Sequence, residues 1–280
     1  MTHAPADLDA YCVMGNPIAH SRSPRIHARF AELTGERLRY DALLTPLDGF
    51  APTLRAFAAR GGRGCNVTVP FKLEAARQAD TRSERVLLAG AANTLTLEHG
   101  RIHADNTDGL GLVADIERGA GCALAGRDVL LVGAGGAAAG ALGALIAAGA
   151  RHITIANRTL PKAQALAASH AQLAELHKTE LMALVPQALE RDFDLVINAT
   201  ASSLAGDAVP VPACALRPGC LAYDMMYGPA AEGFLAWARA HGATPRDGLG
   251  MLVEQAAEAF YLWRCVRAPA ARVLVELRAE

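Results

Sequence analysis

The chain has 280 residues, enough for one large domain or two of ordinary size, and a 52% hydrophobic content supplies ample core. Its 27 basic and 28 acidic side chains leave a formal net charge of −1, so nothing points to a general affinity for nucleic acid or an anionic membrane. The six cysteines, Cys12, Cys65, Cys122, Cys214, Cys220 and Cys265, are scattered without a C-x-x-C pair. That pattern reads as reduced, mostly buried thiols, and as neither a disulfide framework nor a zinc site. Residues 1–9 lack the basic and apolar regions of a signal peptide, and no apolar run is long enough to span a bilayer. The expectation is a soluble, cytoplasmic protein.

In chain order, residues 11–14 read as a first strand, broken by Gly15-Asn16-Pro17. A helix follows with Ile26, Phe30 and Leu33 on one face. Ser23 is expected to cap it with Pro24 at the first helical position, so capping alone is one reading of Ser23. Ser21 is not needed as a cap, which leaves its hydroxyl for a ligand. Residues 40–44 suggest a second strand, and Phe50, Leu54 and Phe57 mark a helix that stops at Gly61-Gly62. Residues 65–69 alternate like a half-buried strand and run into Pro70, read as a helix start that places Lys72 in the first turn. An ammonium at a positive helix end is disfavoured, which is one route to a lysine that exchanges a proton near neutral pH; a plain surface charge is the other reading.

Residues 91–95 and 102–104 look like the two strands of a hairpin. Asp105-Asn106-Thr107-Asp108 then precedes a helix, where the four polar side chains either cap it or line a polyol site. His99 and His103 are four apart, but Gly100 and the turn argue against a helical metal pair, and no metal site is read.

Residues 129–132 form a short apolar run that ends in Gly133-Ala134-Gly135-Gly136, followed by an alanine-rich helix over residues 137–148. A strand, a glycine turn and a helix N-terminus together make an anion site, and a dinucleotide pyrophosphate is its usual occupant. The spacing is a variant of G-x-G-x-x-G and is weak by itself. The next strand, residues 152–156, ends in Asn157-Arg158-Thr159, 24 positions after Gly133 and close to the usual spacing of about 20. No carboxylate stands there for a ribose 2′-hydroxyl, whereas Arg158 and Lys162 suit a 2′-phosphate, so NADP is the expected cofactor; a solvated basic turn is the bland reading.

Residues 161–170 read as a helix, and those up to Arg191 as a short strand and another helix. Residues 193–200 and 221–225 are further buried strands with polar carboxyl ends, where ligands bind in doubly wound sheets. Residues 230–241 are helical. Asp247-Gly248-Leu249-Gly250 is a turn into a long helix with an apolar stripe, and Gln255 lies at the edge of that stripe.

Together these stretches carry a resemblance. Gly15-Asn-Pro-Ile-Ala-His-Ser-Arg-Ser-Pro24, Asn66-Val-Thr-Val-Pro-Phe-Lys72, Gly90-Ala-Ala-Asn-Thr94, Asp105-Asn-Thr-Asp-Gly109, Gly133-Ala-Gly-Gly136, Asn157-Arg-Thr159, Asn198-Ala-Thr200, Tyr223-Asp-Met-Met-Tyr227 and Asp247-Gly-Leu-Gly-Met-Leu252 stand in the order of the shikimate dehydrogenase family. The chain resembles that family over nearly its full length. The resemblance implies two α/β domains with a cleft between them. Residues 1–107 with 249–280 would be the substrate-binding domain, and residues 108–248 the Rossmann-like dinucleotide-binding domain. It implies reversible reduction of 3-dehydroshikimate to shikimate by NADPH, in the shikimate pathway of aromatic amino acid biosynthesis.

By the same resemblance Lys72 and Asp108 are the catalytic pair. Ser21 and Ser23 would bind the substrate carboxylate, with Thr68, Asn93, Tyr227 and Gln255 completing its recognition. Gly133, Ala134, Gly135, Gly136, Ala137, Asn157, Arg158, Thr159, Lys162, Thr200, Met225 and Gly248 would contact NADP(H), and Glu84 falls on a position sometimes given to the cofactor. Two departures stand out: Ala137-Ala138-Ala139 replaces a frequent serine and arginine, and Lys162 stands where a second arginine is common. The alternatives are a quinate/shikimate dehydrogenase using NAD or NADP, and a non-catalytic sensor of NADP or shikimate. The partner expected is the small-molecule substrate alone, with no nucleic acid or membrane, in a monomer or homodimer.

Overall fold

The computed structural model describes residues 8–200 and 211–279, so most of the N-terminal stretch read for a signal peptide lies outside the described residues. The chain divides into two compact units, one running to Thr107 and resuming at Gln255, the other Asp108–Glu254. Among the described residues no helix is long and apolar enough to cross a membrane. Cys12, Cys65 and Cys220 are buried and Cys122 half-buried, while Cys214 and Cys265 are exposed, so burial is less general than expected; all six are free thiols.

The first unit is built on a six-stranded mixed sheet. Its strands are β1 (Asp9–Gly15), β2 (Leu38–Leu44), β3 (Gly62–Val67), β4 (Thr81–Arg82), β5 (Thr94–Glu98) and β6 (Arg101–Asp105), in the order β2-β1-β3-β5-β6-β4. β1 runs parallel to β2 and β3, whereas β3–β5 and β5–β6 are antiparallel. Side chains of a strand alternate between faces, and β1 is apolar on both. Ala10, Cys12 and Met14 pack with Phe50, Leu54 and Phe57 of helix α2 (Phe50–Ala59). Tyr11 and Val13 pack on the other face with Ile18, Tyr40 and Trp263. The β5–β6 hairpin turns at His99-Gly100, both with positive φ (50° and 73°), as a two-residue hairpin turn requires.

Two local expectations are corrected. Ser23 does not cap helix α1 (Ser23–Thr34); it is already the first helical residue, Arg22 holds the cap position, and no side chain caps there. The Ser21 Oγ accepts from the Ser23 N–H at 3.3 Å, a bond that uses one lone pair of its hydroxyl. Pro70 does not start a helix: it follows a cis Val69–Pro70 bond, and α3 (Lys72–Gln78) begins two residues later. Lys72 is still in the first turn. The short α4 (Glu84–Ala89) and β4 carry too few residues to show a period in the sequence.

The second unit is a six-stranded all-parallel sheet of β7 (Asp128–Val132), β8 (His152–Ala156), β9 (Glu180–Leu184), β10 (Phe193–Asn198), β11 (Leu216–Asp224) and β12 (Thr244–Arg246). Their order is β12-β11-β10-β7-β8-β9, so the winding reverses between β7 and β10. Val129, Leu131, Leu195 and Ile197 face one core, and Leu130, Val132, Phe193 and Val196 face another, which is the doubly covered sheet that continuous apolar runs demand. Its helices are α5 (Asp108–Ala114), α6 (Gly136–Ala147), α7 (Leu160–Ser169), α8 (Ala171–His177) and α9 (Glu232–Ala240). Between residues 171 and 191 the helix α8 comes before the expected short strand, and only a 3-10 turn, Pro186–Ala188, follows it. The long α10 (Leu249–Arg264) gives its first six residues to this unit and the rest to the other, where α11 (Ala270–Arg278) follows.

Candidate functional site

In the first unit three of the expected substrate residues, Ser23, Asn93 and Gln255, sit on a chain of buried polar side chains at the carboxyl ends of β1 and β3, while Ser21 and Thr68 are half-buried beside it. The Ser23 side chain hydrogen-bonds the Tyr40 phenol, which donates to Asn66 Oδ1 at 2.7 Å. Burial pushes the Tyr40 pKa well up, so the phenol stays a donor. Asn66 Nδ2 donates to Thr94 Oγ1 (3.1 Å), and Thr94 Oγ1 donates to Asn93 Oδ1 (2.8 Å). Asn93 is the hub. Its Oδ1 accepts from the Thr107 N–H at 2.9 Å, and its Nδ2 donates to Thr107 Oγ1 (3.0 Å) and to Gln255 Oε1 (3.2 Å). Such a network holds each amide in one orientation, which is what recognition of several hydroxyls needs. The structure thus joins Ser23, Asn93 and Gln255 with Thr107 of the Asp105–Asp108 polar run, and it adds Tyr40, Asn66 and Thr94, which the sequence reading did not select.

Thr68 follows β3, and its N–H donates to the Met14 carbonyl at 2.9 Å. Gly15 lies beside it, where a Cβ would overlap the Thr68 methyl. Lys72 is half-buried, and its own carbonyl accepts from the Ala92 N–H at 2.9 Å, which ties its backbone to the residue before Asn93. Glu84 is exposed in the first turn of α4 behind its cap Ser83, where a carboxylate suits the helix dipole without any ligand.

The other expected residues belong to the second unit. Asp108 opens α5 and is only 6% exposed, and Tyr227 is half-buried. Gly133, with φ of 111°, ends β7, and its N–H donates to the Ala156 carbonyl at 2.8 Å. Ala134 continues the turn, Gly135 is the cap of α6 and Gly136 its first residue. A Cβ on Gly135 or Gly136 would meet no atom within 4 Å, so above these glycines lies an open cradle at the positive end of a 12-residue helix, with Ala137 in its first turn. That cradle fits a pyrophosphate.

At the end of β8, Asn157 Nδ2 donates to the Thr159 carbonyl (2.9 Å), which shapes the turn that presents Arg158. Arg158 and Lys162 are exposed and form no ion pair among the described residues, so both cations remain available to a phosphate. The ends of β10 and β11 are knitted together. Asn198 Oδ1 accepts from the Thr200 N–H and hydroxyl (3.2 and 2.7 Å), and its Nδ2 donates to Asp224 at 3.2 Å. The Met225 N–H donates to the Asn198 carbonyl, and the Gly248 N–H to the Met226 carbonyl. Gly248 lies so close to the Met225 carbonyl that a Cβ would overlap it. Thr200, Met225 and Gly248 are therefore neighbours on one rim.

A buried ion pair underlies that rim, and the sequence reading did not find it. After α5 the backbone makes a π-helical turn, Asp115–Gly119. Asp115, 1% exposed, accepts from Arg246 Nε (2.9 Å), from Arg246 Nη2 (2.5 Å) and from the Tyr223 hydroxyl (2.8 Å). Burial and the Asp115 carboxylate push the Tyr223 pKa well up, and the same carboxylate raises that of Arg246. Tyr223 lies two residues before Met225, and Arg246 two before Gly248, so one carboxylate anchors both loops. The only signal in the sequence was Gly119 and Gly250, each placed where a Cβ would overlap the Asp115 carboxylate. Among the described residues no group of three or more His, Cys, Asp or Glu side chains is arranged to hold a metal ion.

The winding reversal, the open glycine cradle and the basic, carboxylate-free turn define a Rossmann-type dinucleotide-binding protein. Three family descriptions match the chain: "Shikimate dehydrogenase substrate binding domain" over residues 13–95, "Shikimate / quinate 5-dehydrogenase" over 116–205 and "Shikimate 5'-dehydrogenase C-terminal domain" over 248–274. A relative from Acidovorax sp. (strain JS42), named shikimate dehydrogenase (NADP(+)), is 72% identical over 274 residues, covering 98% of this chain and 97% of its own. Among solved structures, an Ael1 enzyme from Pseudomonas putida superposes with a TM-score of 0.88 at 46% identity, covering 96% of this chain and 98% of its own. Shikimate 5-dehydrogenase from Thermus thermophilus, in complex with NADP(H) and shikimate, does so with a TM-score of 0.84 at 32% identity, over 97% and 99%. The chain belongs to the shikimate dehydrogenase family.

Proposed function

We propose that this chain is an oxidoreductase that interconverts shikimate and 3-dehydroshikimate with NADP(H), with Lys72 and Asp108 as its acid–base pair. The observation that carries the reading is 72% identity over nearly the full length to an NADP-dependent shikimate dehydrogenase, in a chain that keeps both residues. When bound, the nicotinamide takes the hydride from the secondary alcohol or returns it to the ketone. The chain supplies the rest. In the reduction Lys72, as the ammonium, hydrogen-bonds the reacting oxygen, stabilises the negative charge that develops there and gives it a proton; in the oxidation the same side chain, as the neutral amine, takes the alcohol proton. Asp108, the first residue of α5, orients Lys72 and accepts from a neighbouring substrate hydroxyl. Ser21 and Ser23 hold the substrate carboxylate, while Thr68, Asn93, Tyr227 and Gln255 fix the ring hydroxyls. The glycine cradle takes the pyrophosphate, and Arg158 with Lys162 the 2′-phosphate. The enzyme is cytoplasmic, a monomer or homodimer, with no nucleic-acid or membrane partner.

Absorbance at 340 nm with shikimate or quinate, each with NADP or NAD, tests the reading. Activity confined to shikimate with NADP supports it. Comparable rates with quinate or NAD move the chain to the broader dehydrogenases, and silence in all four with NADP still bound makes it a sensor. Lys72→Ala is expected to lower kcat by about 10²–10⁴-fold with little change in the KM for shikimate. A Lys72→Ala protein with full turnover overturns the assignment of that residue.

A further inference from the structure

The first unit carries a second concave site at the end of its sheet opposite Ser21, Thr68 and Asn93. It is a groove of about 1080 Å³ between the C-terminal half of α2, the amino ends of β1 and β3, and the β5–β6 hairpin. Ala10, Leu54, Ala58, Leu97 and Ile102 form its apolar floor. Arg39, Arg55, Arg60, Arg63 and Arg101 form its rim. Among the described residues the only carboxylates on the groove are Asp9 and Glu98. Asp9 is held by Arg264, which is not part of the groove, and by Arg63 at 3.4 Å, while Glu98 lies 3.5 Å from His99. Arg39, Arg55, Arg60 and Arg101 form no ion pair among the described residues.

Five guanidiniums against two carboxylates give this groove an excess of three positive charges in a chain whose net charge is −1. The C-terminal end of α2 opposes this with about half a negative charge, which the excess outweighs. Guanidiniums that face one another without counter-charges repel, and an anion that enters relieves that repulsion while gaining forked hydrogen bonds. The volume is that of a small-molecule site, and the apolar floor suits a ring. Four unpaired forks spread along the rim match two or more tetrahedral phosphate groups better than a single compact charge.

We propose that this groove binds a small organic polyphosphate, with its ring on the apolar floor and its phosphates on the arginine rim, independently of the residues proposed for catalysis. Isothermal titration calorimetry on the full chain saturated with NADP, which fills the glycine cradle, tests this with adenosine triphosphate, inorganic tripolyphosphate and citrate as probes. The expected result is one site for adenosine triphosphate, weaker for tripolyphosphate and weaker still for citrate, with affinity falling as salt is raised. R55E on the helix and R101E on the hairpin are each expected to weaken adenosine triphosphate binding by about tenfold or more, with shikimate oxidation unchanged. Two independent positions keep the test decisive if one variant fails to fold. No binding of either phosphate probe, or unchanged affinity in a variant that still oxidises shikimate, overturns the proposal. Citrate binding as tightly as adenosine triphosphate overturns the choice of phosphate, and tripolyphosphate binding as tightly overturns the role of the floor.

Discussion

A buried imidazole without a hydrogen-bond partner resists protonation, and His27 is one. It lies one turn after Ser23, fully buried, stacked on Tyr40 at 4.1 Å and near-parallel, with Phe30, Phe260 and Trp263 around it. Neither ring nitrogen has a partner in hydrogen-bonding geometry, and the pull of the nearby Asn66 side chain is smaller than the desolvation. Burial thus lowers its pKa to about 3 from an ordinary 6.5. Below pH 6.5 the unfolded chain takes up a proton that the folded one refuses, so stability falls by about 1.4 kcal/mol per pH unit until the folded site itself titrates near pH 3. His27→Phe, which suits the aromatic nest, is expected to gain on the parent protein steadily as pH falls from 6.5 to 4. Urea unfolding at three pH values reads this directly, and parallel curves for the two proteins refute it. Arg158 gives the second prediction at this scale: Arg158→Ala is expected to raise the KM for NADP by about tenfold while leaving NAD unaffected. Single residues were unevenly legible. Lys72 and Arg158 stood out because charge and position relative to a glycine turn or helix start carry chemistry without any partner. Asn66 and Thr94 did not, because their partners are set by strand register: Asn66 lies directly opposite Thr94 in the β3–β5 pair.

Among the elements, the inner strands β7, β8 and β10 of the second unit were readable nearly to the residue, because burial on both faces writes them as unbroken apolar runs, whereas β11 already begins at Leu216, ahead of the expected residue 221, and β9 could not be placed. β8 spans the expected residues 152–156 without a change. Elements whose reason lies elsewhere in the fold were not readable. β12 has three residues and exists because it pairs with β11, and the π-helical turn at Asp115–Gly119 leaves no mark in a 3.6-residue period. That turn has a testable consequence. Asp115→Asn removes the negative member of a buried pair and leaves Arg246 and Tyr223 facing a neutral amide, so a loss of about 3–5 kcal/mol is expected. The same variant is expected to raise the KM for NADP more than that for shikimate, since the loops carrying Met225 and Gly248 lose their anchor. Denaturant unfolding and initial rates check the two parts separately. Gly250→Ala is expected to destabilise as well, although alanine ordinarily favours a helix, because its Cβ would overlap the Asp115 carboxylate.

At the scale of the whole molecule each unit has its own cores, and every hydrogen bond named above for the cofactor rim lies within Asp108–Glu254. Residues 108–254 expressed alone are therefore expected to fold and to bind NADP, with a cooperative thermal transition raised by the nucleotide as the measure. The first unit has no such independence. His27 is covered by Phe260 and Trp263, Arg264 pairs with Asp9 and Glu36, and Glu276 pairs with Arg29. All of these depend on the part of the chain that returns after the second unit is finished.

On the ribosome this reverses the usual order in which a chain matures. Residues 1–107 emerge first but lack the part of their unit that begins at Gln255, so the nucleotide-binding unit is expected to fold ahead of them. Gln255, which meets the Asn93 hub, and the aromatic cover of His27 are both synthesised after it. The residues proposed to grip shikimate thus reach their final arrangement only once the residues from Gln255 onward have been made, and a chain that stops at Glu254 is expected to bind the nucleotide without a complete substrate site.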